Sequence, residues 1–240
     1  MIHFLIILIL LYLIPIQVCF DILISREIEL FFTFFFSVDI VISMNTSFFF
    51  KGFIVKKRKD IIIAYLKSEF LIDLISLIFY IVDFRDKGNY RFLQYLLMLR
   101  WKKLGKINLK LQEKFKIPMK IHPSVIDLIN LLFFSFYILN MFACCWFYIG
   151  NIQDSSQIQK TWLTEHQLTQ EPKSTQYFYS IYWSTVTIMT VGYGDITATN
   201  LKEVIFSVFT VFFGCGLFAY FINSIGTIVQ DINKESYLFK

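Results

Sequence analysis

Thr190-Val191-Gly192-Tyr193-Gly194-Asp195 is the stretch on which the reading of this 240-residue chain turns. Its two glycines stand at alternate positions. Glycine takes positive φ without steric cost, so a backbone of this kind can turn consecutive carbonyls toward one side. Carbonyls lined up in that way can replace the water around a dehydrated cation. The stretch follows a short aromatic segment, residues 177–187, and is flanked by two long apolar runs, residues 125–149 and 204–229. The aromatic segment is too short to cross a bilayer, which takes about 20 helical residues. Together the segment and the glycine-containing turn read as a re-entrant helix and loop. Irregular backbone at membrane depth is tolerated only where it lines a cavity or is enclosed by protein. A bare Gly-Tyr-Gly would pass for an ordinary turn; six residues in this setting do not.

The rest of the chain supports a membrane reading. Hydrophobic residues make up 56% of it, with 29 phenylalanines, against roughly 45–50% in soluble domains. Apolar runs place six spans, at Ile2–Phe20 and at residues 28–50, 70–82, 90–106, 125–149 and 204–229. The first lacks the basic start and small-residue cleavage site of a signal peptide and is read as a span. The expected fold is an all-α membrane protein with six transmembrane helices and a re-entrant pore helix and loop. Residues 1–106 would form a four-helix domain, 107–124 a linker helix and 125–240 a pore domain. Cys19, Cys144, Cys145 and Cys215 all fall within apolar runs and are read as packing residues.

Basic residues set the orientation. Lys51, Lys56, Lys57, Arg58, Lys59 and Lys67 follow the second span, and Lys102, Lys103, Lys106, Lys110, Lys114, Lys116 and Lys120 follow the fourth. These loops are expected in the cytoplasm with both termini. Asn45-Thr46-Ser47 is a glycosylation sequon, but this orientation puts it on the inner side, where it is expected to stay unmodified.

Several stretches together resemble the voltage-gated and cyclic-nucleotide-related potassium channels. They are Tyr182-Trp183-Ser184, Thr190 to Ile196, Glu203-Val204-Ile205-Phe206, Gly214-Cys215-Gly216-Leu217-Phe218-Ala219-Tyr220, Asn140 to Trp146 and Glu69 to Ile75. Thr190 to Gly194 is the selectivity loop already known from potassium channels, so that pattern is matched and not worked out anew. The resemblance implies a tetramer, homomeric or with related subunits, conducting potassium through a lipid bilayer. Potassium would be held by the carbonyls of Thr190, Val191, Gly192 and Tyr193. Tyr193 is expected to brace the loop against Tyr182 and Trp183, and Asp195 completes the motif. Pro15 near the end of the first span is also common in these channels. Asn140 departs from their usual His, and Met189 from their frequent Thr. The chain stops at Lys240, before the cyclic-nucleotide-binding domain of most such channels, and no nucleotide site is expected in it.

The fourth span carries cations at a spacing of three, but incompletely. Its register reads Arg91, Gln94, Leu97, Arg100, Lys103, Lys106. Each charge moved across the membrane is worth about 2.3 kcal/mol per 100 mV, so a shallow voltage sensor is expected. The competing reading is a basic helix whose lysines reach for the interface. Asp39 and Asp73, costly at membrane depth, are expected to partner these cations. In the sixth span, Gly214 and Gly216 are places where a helix can bend or pack closely. Ile222, Gly226 and Gln230 share one face, and Ile222 is expected to form a hydrophobic gate.

Other functions were weighed. A mixed sodium–potassium channel opened by hyperpolarisation also keeps Gly-Tyr-Gly. A non-conducting modulatory subunit would suit the sparse sensor, although it has no need of the filter glycines. No nucleophile–base pair, phosphate loop or metal-ligand spacing supports an enzyme. No cofactor and no nucleic-acid partner are expected, and the plasma membrane is the expected location.

Overall fold

The computed structural model of the chain describes residues 2–22, 25–46, 48–50, 53–55, 57–75, 77–78, 123–151 and 160–238. The chain divides into two compact units, one of His3–Val18 and Ile22–Lys106, the other of Met1–Ile2, Cys19–Asp21 and Ile107–Lys240.

The first unit is built on α1 (Ile2–Phe20) and α2 (Arg26–Asn45). α1 matches the first expected span end to end. Leu10 and Ile14 of α1 bury against Phe32 and Phe36 of α2, with Ile6, Val18, Phe35 and Leu77 packed around them. The second expected span is cut short. α2 stops at Asn45, where Thr46 turns extended (φ −90°, ψ 120°). The Asn45 side chain donates to the Val41 carbonyl and the Thr46 hydroxyl to that of Ile42, each at 2.7 Å. Those bonds satisfy acceptors that the helix end would otherwise leave open.

Two short strands follow, β1 (Phe48–Phe50) and β2 (Phe53–Val55). They pair antiparallel, Phe48 opposite Val55 and Phe50 opposite Phe53. One small hairpin thus interrupts an otherwise helical layout among the described residues. The basic stretch after it, expected as loop, carries α3 (Arg58–Ser68). Residues 70–75 and 77–78 are helical, in keeping with the start of the third expected span.

The second unit contains α4 (Pro123–Asn151), α5 (Trp162–Glu165), α6 (Lys173–Ile188) and α7 (Leu201–Leu238). Proline suits the first turn of α4, where its missing N–H has no helical partner in any case. α4 thus begins inside the expected linker; residues 107–122 of that linker lie outside the described residues. Among the described residues, two helical segments are long and apolar enough to cross a membrane, Ser124–Asn151 and Leu201–Asp231. α6 packs on both α4 and α7. Trp146, Phe147, Trp162 and Ile188 are fully enclosed in the core of this unit.

Candidate ion filter and pore

The end of α6 shapes the first residue of the expected filter. The Thr190 N–H donates to Thr187 O at 3.1 Å and the Val191 N–H to Val186 O at 3.0 Å. This pair of bonds closes a helix through a left-handed residue, a position usually held by glycine. Here it is Thr190, at φ +57°. A left-handed backbone costs a residue with a Cβ roughly 1–2 kcal/mol. Gly192 follows at φ +64° and Gly194 at φ +75°. The left-handed conformation therefore recurs at every second residue from 190 to 194. A Cβ built at Gly192 or Gly194 meets nothing within 4 Å. Backbone conformation, not space, is what calls for glycine at these two positions.

The loop is largely exposed among the described residues. Val191 is 51% exposed and Tyr193 72%. Tyr182 and Trp183, the residues expected to brace Tyr193, each have a further partner within the chain. The Tyr182 hydroxyl donates to Asp195 Oδ2 at 2.6 Å. That bond holds the Asp195 carboxyl below its ordinary pKa and pushes the Tyr182 phenol up to about 12. Trp183 is buried, stacked face-on against Trp146 with ring centroids 3.8 Å apart.

Trp146 also stacks with Trp162, at 5.7 Å and 20°, and with Phe206 at 6.3 Å. The Trp162 indole N–H donates to the Trp146 carbonyl at 3.3 Å. Gly150, one turn further along α4, leaves the space in which the Trp162 indole sits. The three indoles thus run in file from α6 through α4 to α5. Hydrogen bonds fix α6 as well. Ser184 Oγ donates to Leu139 O at 2.9 Å, the Tyr177 hydroxyl to Asn140 Oδ1 at 2.9 Å, and Gln176 Nε2 to Leu168 O at 2.8 Å. Asn140, which departs from the usual His, is therefore, with the Leu139 carbonyl, an acceptor that ties α4 to α6.

Sequence reasoning gave Glu203 no role beyond its place in a family-like stretch. It is fully enclosed. Its carboxylate accepts from Trp162 N at 3.1 Å, Thr199 N at 2.8 Å and Thr199 Oγ1 at 3.1 Å. Its own N–H donates to Asn200 Oδ1 at 3.0 Å, so Asn200 caps the start of α7. An Asn followed three residues later by Glu at the head of an apolar run was the available signal.

Of the expected gate residues, Gly214 is buried against α6. A Cβ there would stand 3.2 Å from the Ile188 Cα, so this glycine permits close packing. Gly216 and Gly226 have open space where a side chain would be. Ile222, Gly226 and Gln230 are all exposed on α7. α7 runs helical through Gly214 and Gly216 without interruption.

The expected sensor cations Arg91, Arg100, Lys103 and Lys106 lie outside the described residues. Asp39 and Asp73 are buried. Asp73 Oδ2 accepts a 2.7 Å bond from the Tyr65 hydroxyl of α3, a partner that sequence reasoning did not foresee.

The ion transport protein family matches residues 1–237. The chain is 30% identical over 186 residues to the potassium channel SKOR of Arabidopsis thaliana, covering 74% of this chain and 22% of that one. It is 31% identical over 211 residues to the potassium channel AKT1 of the same plant, covering 86% and 24%. It is 27% identical over 225 residues to the potassium voltage-gated channel protein eag of Drosophila melanogaster, covering 84% and 19%. The chain thus spans about a quarter or less of the length of these relatives. With a match running almost from end to end and relatives that are potassium channels, the chain is no enzyme and belongs to the ion transport protein family.

Proposed function

We propose that the chain is one subunit of a tetrameric potassium-selective channel whose filter is residues 190–194. The observation that carries this reading is the left-handed backbone at Thr190, Gly192 and Gly194, set in an exposed loop. Alternating handedness turns successive peptide groups to the same side. Four such loops around an axis would present rings of carbonyls from Thr190, Val191, Gly192 and Tyr193, with the Thr190 hydroxyl closing the inner end. Rings of backbone carbonyls that replace the hydration shell are how a filter selects potassium. That the relatives are potassium channels favours the same ion.

The finer assignments belong to this proposal. Residues 1–106 form a sensor-like domain, 107–124 link it and 125–240 form the pore. Arg91, Arg100, Lys103 and Lys106 carry the gating charge, with Asp39 and Asp73 as their counter-charges, and opening depends weakly on voltage. α7 lines the inner pore, where Ile222 forms a hydrophobic gate. The assembly sits in the plasma membrane with both termini inside. The decisive experiment is reconstitution of the chain in liposomes with potassium and sodium gradients. A reversal potential that follows potassium supports the reading. Equal permeability to sodium, or assembly without fourfold symmetry, overturns it.

A further inference from the structure

Between the filter and α7 the chain has little backbone support. Among the described residues, no N–H from 193 to 199 donates to a backbone carbonyl. The path of this exit strand is set by side chains at its two ends. At the filter end, Tyr182 holds Asp195. At the α7 end, everything converges on Glu203.

The Glu203 carboxylate has no exposed surface. A buried charge is costly unless donors surround it, and here three donors from two segments do so. Thr199 supplies two of them, from the end of the exit strand. Trp162 supplies the third, from the N-terminus of α5, and its indole is also the outer member of the indole file. Lys160 O closes the group, sharing the single Thr199 hydroxyl proton with Glu203 from 2.9 Å and accepting from Asn200 Nδ2 at 3.4 Å. One side chain on the first turn of α7 thereby fixes both the exit strand and the outer helix against the pore-lining helix.

We propose that Glu203 is a positioning residue for the filter: by holding Thr199 and Trp162 to the head of α7 it sets where the outer end of the 190–194 loop stands. The proposal rests on the reading of that loop as an ion filter. Glu203 touches no ion. It acts through the strand, which otherwise has no ladder to keep its carbonyls in register.

The test uses the full chain in liposomes, as wild type, Glu203→Gln and Thr199→Val. Glutamine keeps the shape but turns an N–H₂ toward N–H donors, so one contact becomes repulsive. Two readouts are taken. The first is amide hydrogen exchange over residues 193–200 against α4 and α6. The second is the potassium-to-sodium permeability ratio. Glu203→Gln is expected to speed exchange in 193–200 by about tenfold or more, leaving α4 and α6 unchanged, as loss of a buried bond of this kind does. The permeability ratio is expected to fall by about tenfold, since loosened carbonyls no longer outbid water selectively. Thr199→Val loses one donor of three, and smaller changes in the same directions are expected. Unaltered exchange over 193–200 in Glu203→Gln overturns the proposal. So does a rise shared equally by α4, α6 and α7, which means general loosening, or a normal permeability ratio with a loosened strand. A wild-type chain that fails to discriminate potassium overturns the filter reading instead. The exchange data then still decide whether Glu203 holds the strand.

Discussion

Ile188, the last residue of α6, and Gly214, midway along α7, touch so closely that a methyl group on Gly214 would stand 3.2 Å from the Ile188 Cα. α6, which leads into residues 190–194, and α7 meet backbone to backbone at this point. Ile188 is fully buried and its Cα cannot swing aside as a side-chain tip would. Gly214→Ala is therefore expected to destabilise the protein by roughly 1–3 kcal/mol, the usual cost of overpacking. Gly216→Ala, with open space around it, should stay within about 1 kcal/mol of wild type or gain slightly from helix propensity. Thermal unfolding of the two variants in the same detergent separates them. Equal loss in both would show that the Ile188 contact is not what constrains Gly214.

The filter glycines offer a test of conformation against space. Gly192 and Gly194 have positive φ and room for a Cβ. An L-alanine at either must adopt a left-handed backbone at a cost of about 1–2 kcal/mol or abandon it. A D-alanine has the opposite preference. Semisynthetic Gly194→D-Ala is expected to retain potassium flux, whereas Gly194→Ala loses it. Similar flux from both would mean that φ at this residue is not what the loop needs.

The bond from Tyr182 to Asp195 makes a pH prediction with a definite sign. Its presence lowers the folded-state pKa of Asp195. A carboxylate with a depressed pKa adds stability above its unfolded value, ordinarily about 3.9, and loses it as pH falls through the lower folded value. Acidifying the outer solution from neutrality to about pH 5 should therefore leave the bond intact. Tyr182→Phe removes the donor and moves the acid-induced loss of flux upward toward the ordinary carboxylate range. An external pH titration of the two proteins checks this, and superimposable acid limbs would refute it.

How much of this was legible beforehand differs from residue to residue. α1 could be read to its ends because only His3 and Gln17 interrupt the apolar run from Ile2 to Phe20. The motif at 190–195 could be read because few backbones need glycine at alternate positions. Phe48–Phe50 misled the reading, since a phenylalanine run is equally apolar in a span and in a hairpin. Only the polar Asn45-Thr46 pair, which caps α2, marked the break. Thr190 gave no hint of a left-handed backbone because a β-branched residue is among the least suited to it. Its conformation comes from the way α6 ends. Glu203 beside Lys202 looks like surface charge until the fold encloses it. For Tyr193, composition does not tell whether a ring packs on its own chain or on another, and its exposure here answers only the first half.

In the first unit, the buried Asp73 receives a hydrogen bond from Tyr65 across the α3 turn. Tyr65→Phe leaves that carboxylate one donor short and is expected to cost roughly 1–3 kcal/mol. Asp73→Asn keeps an acceptor for Tyr65 and removes the charge. If Asp73 also serves gating cations, Asp73→Asn should shift the voltage dependence of opening more than Tyr65→Phe does. Voltage-clamp recording of both variants supplies the comparison, and equal shifts would reduce Asp73 to a packing role.

The recurrence of positive φ at 190, 192 and 194 makes length in this loop a matter of parity. Add or remove a single residue between Thr190 and Gly194, and every later peptide group faces the wrong way, with hydrogens where oxygens should be. A change of two residues restores the sense and alters only the number of rungs. Tolerance to insertion here should come in even steps, a rule that no property of the individual side chains would suggest.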